Sequence, residues 1–91
     1  MKVIVSNRAK KQITTIPAYI AEKLKLWVEA VEIDGIESVR KISGYHDEPL
    51  KGKRLGQRSI RLNKSYRAIY EIKIEGRLRL LFVEEVTKHG Y

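Results

Sequence analysis

The stretch QRSIRLNKSYRAIYEIKIEGRLRLLFVEEV, residues 57–86, decides the fold of this chain. Its side chains alternate between apolar and polar, which is the period of a β-strand with one buried face. Three such runs are separated by short polar turns: 57–63, 66–73 and 78–86. Because the turns are short, the runs predict three consecutive antiparallel strands. The last run is apolar on both faces for part of its length, which predicts a central strand.

The alternation also predicts which side chains share a face. Ile60, Leu62, Tyr66, Ala68, Tyr70 and Ile72 fall on one face, which we expect to be packed in the core. The second face is predicted to carry Ser59, Arg61, Arg67, Ile69, Arg79, Leu81, Val83 and Glu85. A sheet face that combines arginines with apolar side chains can hold a backbone phosphate and an unstacked base together.

The first half of the chain has the helical period instead. A β-branched run over Lys2 to Val5 predicts a first strand, and Ser6 or Asn7 is a suitable N-cap for a short helix that ends before Pro17. Pro17 suits the first turn of a second helix, and Gly35 suits its C-terminus. The apolar stripe of that helix is Ile20, Leu24, Trp27, Val28 and Val31.

These elements give the order β-α-α-β-β-β, with a loop over 43–52 and room for a further short helix over 36–42. We therefore predict one α+β domain over residues 1–91, in which a helical hairpin packs on one face of a small, largely antiparallel sheet. Trp27, Tyr66 and Tyr70 are expected to be core residues.

Charge points to a polyanionic partner. Nineteen Lys and Arg oppose eleven Asp and Glu, for a net charge of +8. Residues 51–70 contain seven basic side chains and no acidic one: Lys51, Lys53, Arg54, Arg58, Arg61, Lys64 and Arg67. A block of one sign repels itself unless an anionic partner neutralises it. Nucleic acid is favoured over a membrane surface, because no basic amphipathic helix accompanies the block.

Several classes of protein are disfavoured. The chain has no cysteine, which excludes disulfides and thiolate metal sites and suits a reducing cytoplasm. No apolar run reaches the ~20 residues that a membrane helix needs. His46 and His89 lack the spacing of a metal site, so neither a metal nor another cofactor is predicted.

Two segments carry a resemblance to a known family. Leu50-Lys51-Gly52-Lys53-Arg54 leads into the arginine-bearing strand 57–62, and Tyr66-Arg67-Ala68-Ile69-Tyr70 follows. Together with a last strand that ends in a short polar tail, this order resembles the RelE/ParE superfamily of toxins from type II toxin–antitoxin systems. The segment Gly56 to Asn63 is similar to the HigB-like, host-inhibition branch. The resemblance covers essentially the whole chain.

The resemblance implies a partner and an activity. The partner would be a cognate antitoxin with a helix-turn-helix, and operator DNA would be bound only through this antitoxin. The activity would be metal-independent cleavage of mRNA on the ribosome, which blocks translation. ParE members share the fold and inhibit DNA gyrase without cleaving anything, so a gyrase inhibitor is the alternative, and a degenerate toxin kept as a binding partner is a third reading.

Metal-free RNA cleavage needs a base, an acid and cations near the phosphate. We predict His89 as the acid or base, Tyr91 as a base-stacking or phosphate-binding residue, and Arg61 and Arg67 as the stabilising cations. His89 and Tyr91 owe these roles to the resemblance, since tail residues are otherwise commonly frayed. The residues predicted to bind RNA phosphates are Lys51, Lys53, Arg54, Arg58 and Arg79. Arg58 has the same parity as Ile60 and Leu62, so the sheet edge is the alternative place for it. Glu85 shares the predicted second face with the arginines, so it is a base or, more readily, an ion-pair partner of one of them. His46 is a minor candidate for a second catalytic histidine.

Overall fold

The computed structural model describes residues 1–88. Five strands and three helices follow one another along the chain: β1 Lys2–Val5, α1 Asn7–Ile13, α2 Ala18–Asp34, α3 Ile36–Arg40, β2 Glu48–Pro49, β3 Gln57–Arg61, β4 Tyr66–Glu75 and β5 Leu78–Lys88. Two 3₁₀ turns, Ser43–Tyr45 and Gly52–Arg54, flank β2. The predicted β-α-α-β-β-β order is confirmed, with β2 added inside the predicted loop.

The strands form one sheet in the order β1-β5-β4-β3-β2. β1 pairs parallel with β5, whereas every other neighbouring pair is antiparallel. β5 therefore lies inside the sheet, as its apolar sequence predicts. The helices pack on one face, which confirms the predicted α+β architecture.

The first two helices are capped by residues that suit those positions. Ser6 caps α1, because its hydroxyl accepts a hydrogen bond from the Ala9 amide. Pro17 stands at the N-cap of α2, and Gly35 ends that helix with a φ of 84°, a left-handed value that a side chain would strain. The core between the helices and the sheet includes Trp27 and Tyr70, both fully buried with ring centroids 5.3 Å apart.

A β-bulge in β5 changes which side chains share a face. Ile69 lies opposite Glu85, but the next residue, Tyr70, lies opposite Val83, so Glu84 has no cross-strand partner. The extra residue reverses the alternation of β5 at that point. Glu85 consequently points away from the helices, whereas Val83 and Leu81 join the core.

We call the sheet face away from the helices the open face; it carries Glu48, Ser59, Arg61, Arg67, Ile69 and Glu85, of which Glu48 is exposed, Arg61 is half-buried and the other four are buried. Three residues predicted for it lie on the helix face instead: Arg79, Leu81 and Val83. That part of the prediction is wrong, because strict alternation was extended from Glu85 back through β5 across the bulge. The core positions predicted for Ile60, Leu62, Ala68 and Tyr70 are confirmed.

Candidate nucleic-acid interface

Two arginines lie directly opposite each other on the open face. Arg61 of β3 pairs with Arg67 of β4, and Arg67 pairs in turn with Thr87 of β5. Side chains directly opposite on antiparallel strands lie about 5 Å apart at Cβ, and like charges there destabilise the sheet. Arg67 is 8% exposed, so its charge is also poorly solvated. A phosphate held on this face would be a further partner for both guanidinium groups, beside those that Arg67 already has in the protein.

The short strand β2 brings a carboxylate to the same place. Glu48 pairs with Ser59, and its Oε1 lies 3.6 Å from Arg67 NH1. The Glu48 side chain remains 58% exposed, so solvent or a ligand can reach it. Sequence reasoning missed this residue because 43–52 contains two glycines and a proline and was predicted as a loop. Pro49 was a usable signal, since proline is tolerated in edge strands.

Glu85 is already engaged in ion pairs. Its Oε2 lies 3.0 Å from Arg54 NH2, and its Oε1 lies 3.5 Å from Arg8 NH2. Arg54 also donates to Gln57 of β3, so its side chain crosses above β4 to reach β5. Glu85 is therefore an ion-pair partner, as predicted, but its partners are Arg54 and Arg8 and not the arginines predicted to share its face. Arg54 lies at the border of the open face, where its charge can still act on a phosphate.

The Arg58 side chain lies on the helix face of β3, on the opposite side of the sheet from the open face. Its Nε donates to Asp47 Oδ1 at 2.6 Å, and Asp47 Oδ2 accepts from the Tyr70 hydroxyl at 2.6 Å. Burial is the largest single effect and opposes the charge of the guanidinium, but the hydrogen bonds and charges of Asp47 and Tyr70 together outweigh it and raise the pKa of Arg58. Arg58 thus lies on the helix face with Asp47 and not at the sheet edge, which β2 forms, and its phosphate contact stays a prediction.

Arg79 is the second predicted phosphate ligand that lies elsewhere. It is on the helix face and donates to Glu37 of α3. That hydrogen bond lowers the pKa of Glu37 and raises the pKa of Arg79. Lys51 and Lys53 are exposed beside the second 3₁₀ turn, in a position that allows them to attract RNA.

His89 and Tyr91 lie outside the described residues. His46 is exposed at the end of the first 3₁₀ turn and has a φ of 46°, a left-handed conformation that histidine tolerates better than most residues. Among residues 1–88, no group of three or more His, Cys, Asp or Glu could hold a metal ion. No helix in that part of the chain is long and apolar enough to cross a membrane.

The arrangement can bind and polarise a phosphodiester. Two opposed guanidinium groups can fork onto its oxygens, and their charge is permanent. A carboxylate beside them can accept a proton. The open face thus combines a cationic anchor with a candidate base, which no single residue of the sequence pattern indicates.

Solved structures with the same architecture are toxins. The YoeB/ParE toxin from Agrobacterium tumefaciens is 20% identical and superposes with a TM-score of 0.75, covering 99% of this chain and 100% of its own. YafQ from Escherichia coli is 18% identical, with a TM-score of 0.76 over 97% of this chain and 92% of its own. The chain has the fold of these toxins.

A third similar structure is a complex. The toxin–antitoxin complex RelBE2 from Mycobacterium tuberculosis contains a chain that is 20% identical, with a TM-score of 0.62 over 97% of this chain and 96% of its own. No family model matches the sequence, and no curated protein is significantly similar to it. The HigB-like assignment stays a prediction.

Proposed function

We propose that this chain is the toxin of a type II toxin–antitoxin pair and that it cleaves mRNA on the ribosome without a metal. The observation that carries the proposal is the opposed pair Arg61 and Arg67 with the exposed Glu48 carboxylate beside it. The basic block and the fold shared with known toxins support the same reading.

Cleavage would use the 2′-hydroxyl of the substrate as nucleophile. A base removes its proton, the 2′-oxygen attacks the adjacent phosphorus, and the 5′-oxygen leaves after it receives a proton from an acid. Glu48 is the candidate base, because its carboxylate is exposed next to Arg67. Arg61 and Arg67 would stabilise the extra negative charge on the phosphate in the transition state. His89 would donate the proton to the leaving 5′-oxygen, and Tyr91 would stack on a base or bind a phosphate.

A cognate antitoxin is the proposed protein partner. RelBE2 is a toxin–antitoxin complex, and its similar chain covers almost the whole of this one. We expect the antitoxin to be a DNA-binding protein with a helix-turn-helix that neutralises the toxin and carries the pair to operator DNA.

The test is translation-coupled mRNA cleavage in a purified translation system, with cut sites mapped by primer extension. Arg67→Ala should lower the cleavage rate about a hundredfold to a thousandfold, because one preorganised charge at the phosphate is lost. Arg79→Ala is the matched control, since it removes the same charge from the helix face. Glu48→Gln and His89→Ala should lower the rate without unfolding the protein.

Two outcomes would contradict the proposal. Intact mRNA with wild-type toxin would exclude the nuclease, and inhibition of DNA gyrase by the same preparation would favour the ParE-like alternative. Equal losses in Arg67→Ala and Arg79→Ala would show that net charge matters and that the open face is not the active site.

A further inference from the structure

A buried carboxylate lies next to the candidate base in the chain. Asp47 is 1% exposed at its side chain and is held by three partners: Arg58 of β3, Tyr70 of β4 and Arg40 of α3. The two hydrogen bonds from Arg58 and Tyr70 are both 2.6 Å long. A buried charge with this many donors is fixed in position, because every alternative leaves charges unpaired away from water.

Asp47 and Glu48 are consecutive and point to opposite faces. The Asp47 carboxylate is on the helix face with Arg58 and Tyr70, whereas the Glu48 carboxylate is on the open face with Arg67. Neighbouring residues of an extended chain alternate in this way. Fixing the one side chain therefore fixes the direction of the next.

Besides the Asp47 contacts, this segment is held by Tyr45, which packs against the core, and by backbone pairing at the sheet edge. β2 has two residues and lies at the sheet edge. Just before it, His46 has a left-handed φ of 46°, and just after it the Leu50 amide donates to the Gln57 carbonyl at 2.9 Å. An edge strand this short is marginal by itself. The Asp47 contacts are the strong connection between this segment and the inner strands.

We propose that Asp47 is a positioning residue for Glu48, and that its ion pair with Arg58 and hydrogen bond with Tyr70 hold the Glu48 carboxylate beside Arg67. This inference rests on the proposed function for its catalytic part. Asp47 touches no substrate and acts only through Glu48.

A double-mutant cycle tests whether Asp47 acts through Glu48. Asp47→Asn and Tyr70→Phe should each lower kcat of RNA cleavage about tenfold, the loss expected when one hydrogen bond to a charged group is removed, with KM nearly unchanged. Each should have no further effect in a Glu48→Gln background, because the residue it would position has already lost its function. Glu37→Gln and Tyr19→Phe are matched controls, because each removes an exposed contact elsewhere.

A second measurement does not depend on activity. Hydrogen exchange at the Leu50 amide reports whether β2 is docked, because that amide bonds to Gln57 of β3. Asp47→Asn and Tyr70→Phe should lower its protection about tenfold while core amides of β4 stay protected.

The outcomes separate the two proposals. Unchanged Leu50 protection in both variants, or losses of kcat that multiply with that of Glu48→Gln, would overturn the role of Asp47. If wild-type toxin cleaves no RNA but Leu50 protection falls as expected, Asp47 does hold the segment that carries Glu48, and only the proposed function fails.

Discussion

The Ser6 hydroxyl donates a hydrogen bond to the Glu84 carbonyl oxygen at 2.8 Å, across 78 residues of sequence. The same hydroxyl accepts from the Ala9 amide at 3.0 Å and so caps α1. Glu84 is the bulged residue of β5. The Ser6 side chain therefore caps the first helix and also connects it to the bulge that places Glu85 on the open face.

Ser6→Ala should lower the free energy of unfolding by about 2 kcal/mol, because it removes an N-cap and a partly buried hydrogen bond worth ~1 kcal/mol each. Denaturant unfolding followed by circular dichroism measures this. Thr15→Ala is the control, since its hydroxyl bonds the Gln12 carbonyl at an exposed helix end. A Ser6→Ala protein as stable as the Thr15→Ala protein would show that neither contact contributes.

Tyr70 gives a prediction for alkaline pH. Burial, and then its hydrogen bond to Asp47, raise the pKa of Tyr70 to about 12. Below pH ~10 the hydroxyl is protonated in both the folded and the unfolded chain, so its stabilising effect is complete. Above that pH the unfolded chain loses the proton first, and the stability is lost as pH rises towards about 12.

Wild-type protein should therefore lose about 2–3 kcal/mol more stability than Tyr70→Phe between pH ~10 and pH ~12. The ultraviolet titration of tyrosinate should show one of the five tyrosines ionising last, and Tyr70→Phe should remove that step. If the last step persists in Tyr70→Phe, another tyrosine is the buried one and the expected stability difference disappears.

Periodicity predicted most of the fold because most of the chain obeys it. The stripe through Trp27 gives α2, and the alternation around Ile60 and Tyr70 gives two strands with their core faces. Only local regularity is needed for these predictions. They placed Arg61 and Arg67 on one face, and the structure brings the two together.

The remaining features depend on contacts that the local pattern does not contain. The bulge at Glu84 lies next to a run that is apolar on both faces, so its reversal of alternation leaves no trace in the sequence. Arg79 was misplaced for that reason. Glu48 and Asp47 were overlooked because β2 exists only through pairing with β3 and through Asp47's partners on β3, β4 and α3.

Arg61 should contribute to the salt dependence of RNA binding. A single-stranded RNA with 2′-methoxy groups cannot be cleaved through its own hydroxyls and therefore reports binding alone. Arg61→Ala should lower the slope of log affinity against log salt by about 0.7, which is one phosphate contact. Arg79→Ala, whose arginine is paired with Glu37, should leave the slope unchanged. Equal changes in the two variants would place the RNA elsewhere than the open face.

Substitution of Glu85 should lower the folding stability and raise the RNA affinity. It is 7% exposed and paired with Arg54 and Arg8, so Glu85→Gln should cost about 1–3 kcal/mol of folding free energy through weaker hydrogen bonds. The same substitution removes a negative charge from the face that we propose to bind phosphates. RNA affinity should therefore rise severalfold at low salt.

Cleavage in single-turnover experiments should persist in Glu85→Gln and be lost in Glu48→Gln, which is the comparison that identifies the base. Glu48 is exposed and should be replaceable at little cost in stability, since exposed ion pairs contribute ~1 kcal/mol or less. The opposite result, with Glu85→Gln folded but inactive and Glu48→Gln active, would move the base to Glu85.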